Sequence, residues 1–205
     1  MNEILPQCDM LQLAAKGEVF VSPYYKELLE DHNLSKMKYL LLHSNGVLAS
    51  AEKIRHYCEI VIGCGVILSI DAATEDTYKK IRRGGNFNKL MTNLAGVGSL
   101  RKSEILRALG LVFVVQEDNY KEMREIVRIA HDNHADTVIF IRLDNWGLWT
   151  EEEFEKMTLT DKNRQPTEKV KKELECIEHY EGMNVYFDQE QRFIRDLFAR
   201  ILNVN

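Results

Sequence analysis

The stretch GVILSIDAATEDTYKKIRRGG, residues Gly65–Gly85, decides the fold class of this chain. It begins with an apolar run, Val66–Ile70, which is short enough for a buried strand and is followed directly by Asp71. A helix start comes next, because the Thr74 side chain is suited to accept a hydrogen bond from the unpaired backbone amides of a first helical turn. The stretch therefore predicts a β-strand joined by a short turn to an α-helix.

The same alternation continues on both sides of this unit. Apolar runs bounded by polar or glycine-containing segments predict buried strands at Met10–Ala14, Tyr39–His43, Val66–Ile70, Ala108–Val115 and Thr137–Leu143. Helical patterns are found at Pro23–Asp31, Ala49–Cys58, Thr74–Ile81, Phe87–Lys102 and Tyr120–Asn133. Alternating strands and helices favour right-handed βαβ units. We therefore expect an α/β fold, a partial parallel (β/α) barrel of about five strands.

The rhythm changes after Leu143, where an aromatic segment and then charged and polar segments follow. We place a boundary there, with the partial barrel in residues 1–145 and a C-terminal helical appendage, packed on the same domain, in residues 146–205. The appendage has helical patterns at Glu168–Tyr180 and Gln189–Leu202 and a candidate extra strand at Met183–Phe187.

Composition and charge limit the function classes. The chain has 205 residues, 45% of them apolar, which is enough for one substantial core. Its net charge of -5 gives no general attraction to phosphate backbones and argues against a nucleic-acid partner. No run reaches the roughly 18 to 20 apolar residues that a membrane span needs, and the amino terminus lacks a signal-peptide pattern. We therefore expect a cytoplasmic protein without membrane association.

The cysteines form neither a zinc-type CxxC pair nor a tight disulfide framework. They are Cys8, Cys58, Cys64 and Cys176. We expect reduced thiols that bind no metal.

Polar residues follow the ends of the predicted strands. Because ligands of parallel α/β folds gather at the carboxyl ends of the strands, these residues are predicted to line one binding site. The candidates are Gly17, Glu18, Ser44, Asn45, Ser69, Asp71, Gln116 and Asn119.

Some of these candidates have structural alternatives. Asn45-Gly46 is a common turn pair, because both residue types tolerate positive φ. Asp71 is equally suited to cap the helix that follows it. Glu18 is harder to explain structurally, since a carboxylate in a glycine turn at a strand end is well placed to bind an ammonium group.

Taken in order, these residues resemble the motifs of the radical S-adenosylmethionine (SAM) superfamily, particularly its members with a SPASM-type layout, over roughly Met10–Leu143. Gly17-Glu18 resembles the end of the family's Gly-Gly-Glu-Pro motif, with Val19 in the place of the proline. HSNG at His43–Gly46 resembles the family's Thr-Asn-Gly strand end. Ser69-Ile70-Asp71 resembles the strand whose polar end faces the SAM ribose and carboxylate.

The resemblance implies that SAM is the ligand and that Glu18, with neighbouring backbone, receives its methionyl ammonium. Val114–Asn119, which includes Gln116 and Asn119, resembles the fifth strand of the family, which passes beside the adenine.

The family's CxxxCxxC motif, which holds a 4Fe–4S cluster, is missing, and only Cys8 lies near its expected place. The chain is therefore identified as a truncated or degenerate member with no cluster of its own. Because the cluster delivers the electron that cleaves SAM, we expect no radical chemistry from this chain alone. Loss of the cluster's contacts should also weaken SAM binding by several kcal/mol. Because every ~1.4 kcal/mol is tenfold in affinity, we expect weak, millimolar binding of SAM.

Without the family's first βα unit, the next strand would leave backbone groups unpaired at a sheet edge. A homodimer or another protein partner across that edge is one way to pair them, and the C-terminal appendage is another.

Two other functions stay open. The chain is a fragment of an active radical SAM enzyme if an upstream segment or a partner supplies the cysteines. Alternatively, it is an unrelated α/β enzyme, such as a sugar-processing enzyme, that uses Glu18, Asp71 or His43 as an acid or base.

Overall fold

A computed structural model describes residues 8–13 and 17–202 of this chain. Its core is a sheet of six strands in sequence order, and every neighbouring pair is parallel. The strands are β1 (Met10–Leu13), β2 (Tyr39–Ser44), β3 (Gly63–Ser69), β4 (Ala108–Val115), β5 (Thr137–Arg142) and β6 (Asn184–Phe187). This order is that of a partial (β/α) barrel, which confirms the predicted fold class.

Helices connect the strands. They are α1 (Pro23–Leu28), α2 (Asp31–Leu34), α3 (Ala51–Ile60), α4 (Glu75–Ile81), α5 (Phe87–Lys102), α6 (Met123–Asp132), α7 (Glu151–Met157), α8 (Glu168–Glu175) and α9 (Glu190–Leu202), with a 3₁₀ turn at Tyr120–Glu122. None of the helices in the described ranges is long and apolar enough to cross a membrane.

Most of the predicted elements are found, with local differences. The predicted helix Pro23–Asp31 is two short helices, and the charged segment Glu151–Met157 is a helix whose start Thr150 and Glu153 fix with a capping box. The predicted strand Met10–Ala14 is found at Met10–Leu13, and Ala14 lies outside the described residues.

The C-terminal segment contributes to the sheet itself. Strand β6 pairs with β5, so the sheet has six strands, one more than the five predicted for the barrel. It extends the sheet on the side opposite β1. Within the described ranges, β1 pairs only with β2.

The two faces of the sheet pack differently, because successive side chains of a strand point to opposite faces. Leu40 and Leu42 of β2 belong to the larger core beneath the connecting helices. Leu41, which lies between them, packs on the inner face in a second core. Helix α9 covers that inner face with its buried side chains Phe193, Leu197 and Ile201.

Glycines on the inner face allow α9 to approach the strands closely. A Cβ atom at Gly65 of β3 would lie 2.5 Å from Cδ1 of Ile201, and one at Gly110 of β4 would lie 2.8 Å from Cζ of Phe193. The helix therefore fills the inner face over the first halves of these strands, and their carboxyl ends remain to form a site.

Candidate ligand-binding site

A cleft of about 380 Å³ opens at the carboxyl ends of the first three strands. Its lining residues come from the segment after β1, the end of β2 and the turn after it, the end of β3 and the residue that follows α4. They are Gly17, Glu18, His43, Ser44, Asn45, Ser69 and Arg82. The structure thus brings five of the eight predicted site residues together, and it adds His43 and Arg82.

The Glu18 carboxylate joins the ends of β1 and β2. Its Oε1 accepts a hydrogen bond from Oγ of Ser44 at 2.6 Å, and its Oε2 accepts one from the backbone N–H of Asn45 at 2.8 Å. The hydroxyl of Ser44 in turn accepts from the backbone N–H of Gly46 at 3.0 Å. Oε1 also accepts from the backbone N–H of Phe20 at 3.4 Å. An ionised carboxylate has about four acceptor positions, so Glu18 keeps about one with which to accept from a ligand.

The Asn45-Gly46 pair forms the predicted turn. Oδ1 of Asn45 accepts from the backbone N–H of Val47 at 3.0 Å, and Gly46 has a φ of +81°. Its α-carbon is also close to helix α5, since a Cβ there would overlap Cδ1 of Leu90. The Asn45 side chain therefore shapes the turn, while its backbone N–H orients Glu18.

Asp71 is a buried link between strand ends. Its side chain is 5% exposed, its Oδ1 accepts from the backbone N–H of Val114 at 2.7 Å, and its Oδ2 accepts from Nε of Arg82 at 2.8 Å. The capping alternative for Asp71 is wrong, because Thr74 occupies the N-cap position of α4 and accepts from the backbone N–H of Thr77. Asp71 therefore holds the Arg82 guanidinium and does not cap helix α4.

Asn119 supports the same strand ends from beneath. Its side chain is buried, and its Nδ2 donates to the carbonyls of Asp71 at 2.9 Å and Val114 at 2.8 Å. Its Oδ1 accepts from the backbone N–H of Gln116 at 2.8 Å. Asp71 and Gln116 line a neighbouring cleft of about 620 Å³, in which Asn119 takes no part. The structure therefore separates these three residues from the smaller cleft.

His43 and Ser69 form a pair at the base of the 380 Å³ cleft. Nε2 of His43 lies 2.8 Å from Oγ of Ser69. Burial lowers the pKa of His43 below its ordinary value of 6.5, the positive charge of Arg82 lowers it further, and the carboxylates of Glu18 and Asp71 oppose both. His43 is therefore neutral near pH 7 and able to accept the serine proton.

Arg82 is the functional residue that the sequence interpretation missed. It follows α4 directly, and its guanidinium forms an ion pair with Asp71 through Nη2 at 2.5 Å as well as Nε. In the sequence, Arg82 lies in the basic stretch Lys79–Arg83, and this position predicts a solvated surface charge. The sequence signal that could have identified Arg82 is Asp71, which follows the preceding strand. A carboxylate that is buried at a strand end needs a paired cation.

The cysteines do not fit an iron–sulfur cluster. Cys64 is buried in β3 beside Cys58, Cys8 precedes β1, and Cys176 is exposed at the end of α8. A hydrogen bond with Cys58, together with burial, raises the pKa of Cys64, which disfavours the thiolate that a cluster requires. Across residues 8–13 and 17–202, no three His, Cys, Asp or Glu side chains are grouped to hold a metal ion.

Comparisons with known proteins bear on the fold. Neither a protein-family model nor a curated protein sequence matches the chain. Among solved structures, SuiB of Streptococcus suis matches 69% of this chain with a TM-score of 0.52 and 12% identity. A structure described as native anSMEcpe with bound AdoMet and Kp18Cys peptide matches 73% of it with a TM-score of 0.46 and 16% identity.

This chain spans 31% of the length of SuiB and 46% of that of anSMEcpe, so it corresponds to less than half of either protein. At this identity the likeness to SuiB shows the fold alone.

Proposed function

We propose that this chain is a radical SAM-like domain that binds SAM weakly through the methionyl group and does not perform radical chemistry alone. One observation supports the proposal most. The 380 Å³ cleft combines a carboxylate, Glu18, with a guanidinium, Arg82, and a hydroxyl, Ser69. The two opposite charges are near enough to His43 to shift its pKa in opposite directions.

This set of groups complements the two charges of an α-amino acid. The ligand's ammonium donates to Glu18, whose oxygens have acceptor capacity beyond their bonds to Ser44 and Asn45. The ligand's carboxylate accepts from Arg82 and Ser69. Each hydrogen bond to a charged group contributes about 1.5–3 kcal/mol, which is enough for a specific but weak complex. A cleft of about 380 Å³ also lies within the usual size range of small-molecule sites.

The remainder of SAM extends along the same rim. The neighbouring 620 Å³ cleft has apolar residues in its lining, including Val114 and Leu143 at the ends of the fourth and fifth strands. Those side chains suit an adenine ring, which is largely apolar on its faces.

The proposal is tested by calorimetric titration of the chain with SAM. Glu18→Gln keeps an oxygen for Ser44 or Asn45 but removes the charge that pairs with the ammonium, so affinity should fall about tenfold or more, equivalent to ~1.4 kcal/mol. Ser69→Ala should weaken binding by a smaller factor. Glu117→Gln is the matched control, because Glu117 pairs with Lys169 outside the cleft. An affinity that Glu18→Gln leaves unchanged, or no heat at millimolar SAM, would contradict the proposal.

A second copy or a protein partner at the β1 edge remains part of this proposal. Within the described ranges, the outer side of β1 carries no paired strand, and backbone groups at such an edge favour pairing with another strand. Sedimentation of the purified chain at several concentrations tests this point. A monomer at every concentration would leave only a different protein as the partner.

The His43–Ser69 contact favours a second candidate function, acyl transfer by an α/β enzyme. Neutral His43 would take the Ser69 proton on Nε2 while Oγ bonds to an ester carbonyl, and would then give that proton to the departing alcohol. Water would release the acyl group in the same way. A fluorophosphonate probe would then label Ser69 in the wild-type chain and not in His43→Gln. Labelling that is absent or unchanged between the two would exclude this candidate.

A further inference from the structure

A lysine on helix α3 joins the two chain segments that hold the Glu18 carboxylate in place. Glu18 lies in the segment after β1, and Asn45, whose backbone N–H donates to it, lies in the turn after β2. Nζ of Lys53 donates to the carbonyl of Leu48, which follows that turn, at 3.2 Å. The same Nζ lies 4.7 Å from the centroid of the Phe20 ring, in the segment after β1. Lys53 therefore ties one segment to the other.

The Phe20 ring is docked on one face of α3. Its plane is within 3° of that of the Tyr57 ring, and the two centroids are 6.2 Å apart. Lys53 lies four residues before Tyr57 on the same helix, and residues at this spacing are neighbours on one helix face. Tyr57 is buried, whereas Phe20 and Lys53 are half-buried. A cation that lies over an aromatic ring is attracted to its π-electrons, so Lys53 and Tyr57 together hold the ring.

Phe20 connects this docked ring to the carboxylate. Its backbone N–H donates to Oε1 of Glu18 at 3.4 Å. The carbonyl of Glu18 accepts from the backbone N–H groups of Val21 and Ser22, both at 3.1 Å. Glu18 and Phe20 thus belong to one tight turn, and a shift of the ring moves this turn. In the described part of the chain, no carboxylate pairs with Nζ of Lys53, so a change there breaks no ion pair.

We propose that Lys53 is a positioning residue for the ligand's ammonium, because it holds the Glu18 turn against the segment after β2. The inference rests on the proposed function, in which Glu18 accepts a hydrogen bond from that ammonium. Lys53 does not line the 380 Å³ cleft, so it acts through Glu18 and does not touch the ligand. Loss of its Nζ leaves every acceptor of the cleft in place but lets the Glu18 turn move.

Calorimetric titration of the full chain with SAM tests the inference. Lys53→Met keeps an unbranched apolar side chain but removes both contacts of Nζ. SAM affinity should therefore fall about two- to fivefold, which corresponds to the usual strength of a cation–π contact at an exposed site. Lys53→Arg keeps a cation that stacks on aromatic rings and donates hydrogen bonds, so it should restore most of the affinity.

Lys38→Met is the matched control. Lys38 precedes β2 and pairs with Asp9, which precedes β1, through an ion pair of 3.0 Å. It thus ties the same two strands at their amino ends, away from the cleft. Its substitution should leave SAM affinity unchanged.

Two further measurements distinguish positioning from a general structural role. 5′-Methylthioadenosine lacks the amino-acid group, so Lys53→Met should leave its affinity unchanged while the affinities for SAM and methionine fall. In the chain without ligand, the backbone amide resonance of Asn45, which donates to Glu18, should shift in Lys53→Met and stay in place in Lys38→Met.

The outcomes separate this inference from the proposed function. If Lys53→Met binds SAM as tightly as the wild type, or if Lys53→Arg binds as weakly as Lys53→Met, the inference is wrong, while a loss in Glu18→Gln still supports the proposed site. An equal loss of affinity for 5′-methylthioadenosine, or an equal loss in Lys38→Met, would also overturn it. If none of these ligands binds the wild-type chain, the proposed function is wrong and the inference falls with it.

Discussion

Replacing Gly65 by alanine tests whether α9 packs on the inner face of the sheet. The new Cβ would lie 2.5 Å from Cδ1 and 3.0 Å from Cγ1 of Ile201, and 3.1 Å from Cδ1 of Leu41. All three atoms belong to side chains, so the conflict is relieved by rotamer changes or a small shift of α9. Over-packing of this kind costs about 1–3 kcal/mol, and the reduced freedom of the unfolded chain offsets about 0.4–1 kcal/mol of that. We expect a net loss of about 1–2 kcal/mol in the free energy of unfolding.

A double-mutant cycle identifies the partner. Ile201→Ala alone should cost about 2–5 kcal/mol, because Ile201 is buried and the truncation leaves a cavity. In the Gly65→Ala background the same truncation removes the conflicting atoms. The double variant should therefore be more stable than the sum of the single losses predicts, by about 1 kcal/mol or more. The free energies come from urea unfolding followed by circular dichroism.

Gly63→Ala is the matched control for this cycle. A Cβ at Gly63 would lie 2.6 Å from the backbone carbonyl oxygen of Ile201, which truncation of that side chain leaves in place. Gly63→Ala should thus destabilise the fold at least as much as Gly65→Ala, with little rescue by Ile201→Ala. Additive losses for Gly65 and Ile201, or a neutral Gly65→Ala, would refute the placement of α9.

Three further substitutions test other parts of the structure. Thr137→Val should raise the free energy of unfolding by about 1 kcal/mol, because the buried Thr137 hydroxyl has no partner in the part of the chain that the structure describes; a less stable variant would show that it has one. Glu122→Gln should cost about 1–3 kcal/mol in the same assay, since the carboxylate accepts three hydrogen bonds from the loop before α4 and its first turn, and a neutral result would contradict those bonds. Burial, aided by Arg82, lowers the pKa of His43, so the unfolded chain takes up a proton first as the pH falls. The wild-type chain should therefore lose stability below about pH 6.5, and His43→Gln should lose less; equal pH dependence in urea titrations would contradict a neutral buried histidine.

Much of the fold is predictable because its signals are local. Strand Ala108–Val115 and helix Phe87–Lys102 have the predicted bounds, since each is a sustained pattern with polar flanks. The apolar stripe of α9 predicts a buried face, but not what covers it. That answer depends on Gly65 and Gly110, whose missing side chains make room for a helix more than 80 residues later in the chain.

The site was harder to predict, because its residues act through partners on other strands. Motif order is enough to place Glu18 and Ser69 in one cleft, since the carboxyl ends of successive parallel strands are neighbours. Motif order does not distinguish a residue that contacts the ligand from a residue that holds the strand ends in place. Asp71 and Asn119 are buried and form hydrogen bonds between strands β3 and β4, whereas Glu18 lines the cleft, and no local pattern encodes this difference.

The same distinction decides which substitutions are informative about the ligand. Asp71→Ala would release Arg82 and leave the backbone N–H of Val114 without its acceptor, so it would reduce binding whether or not Asp71 touches a ligand. Glu18→Gln and Ser69→Ala change groups that line the cleft and leave the bonds of Asp71 and Asn119 in place, but Glu18→Gln also weakens the link from Glu18 to Ser44 and Asn45. A loss of SAM binding in Ser69→Ala therefore reports more directly on contact with the ligand.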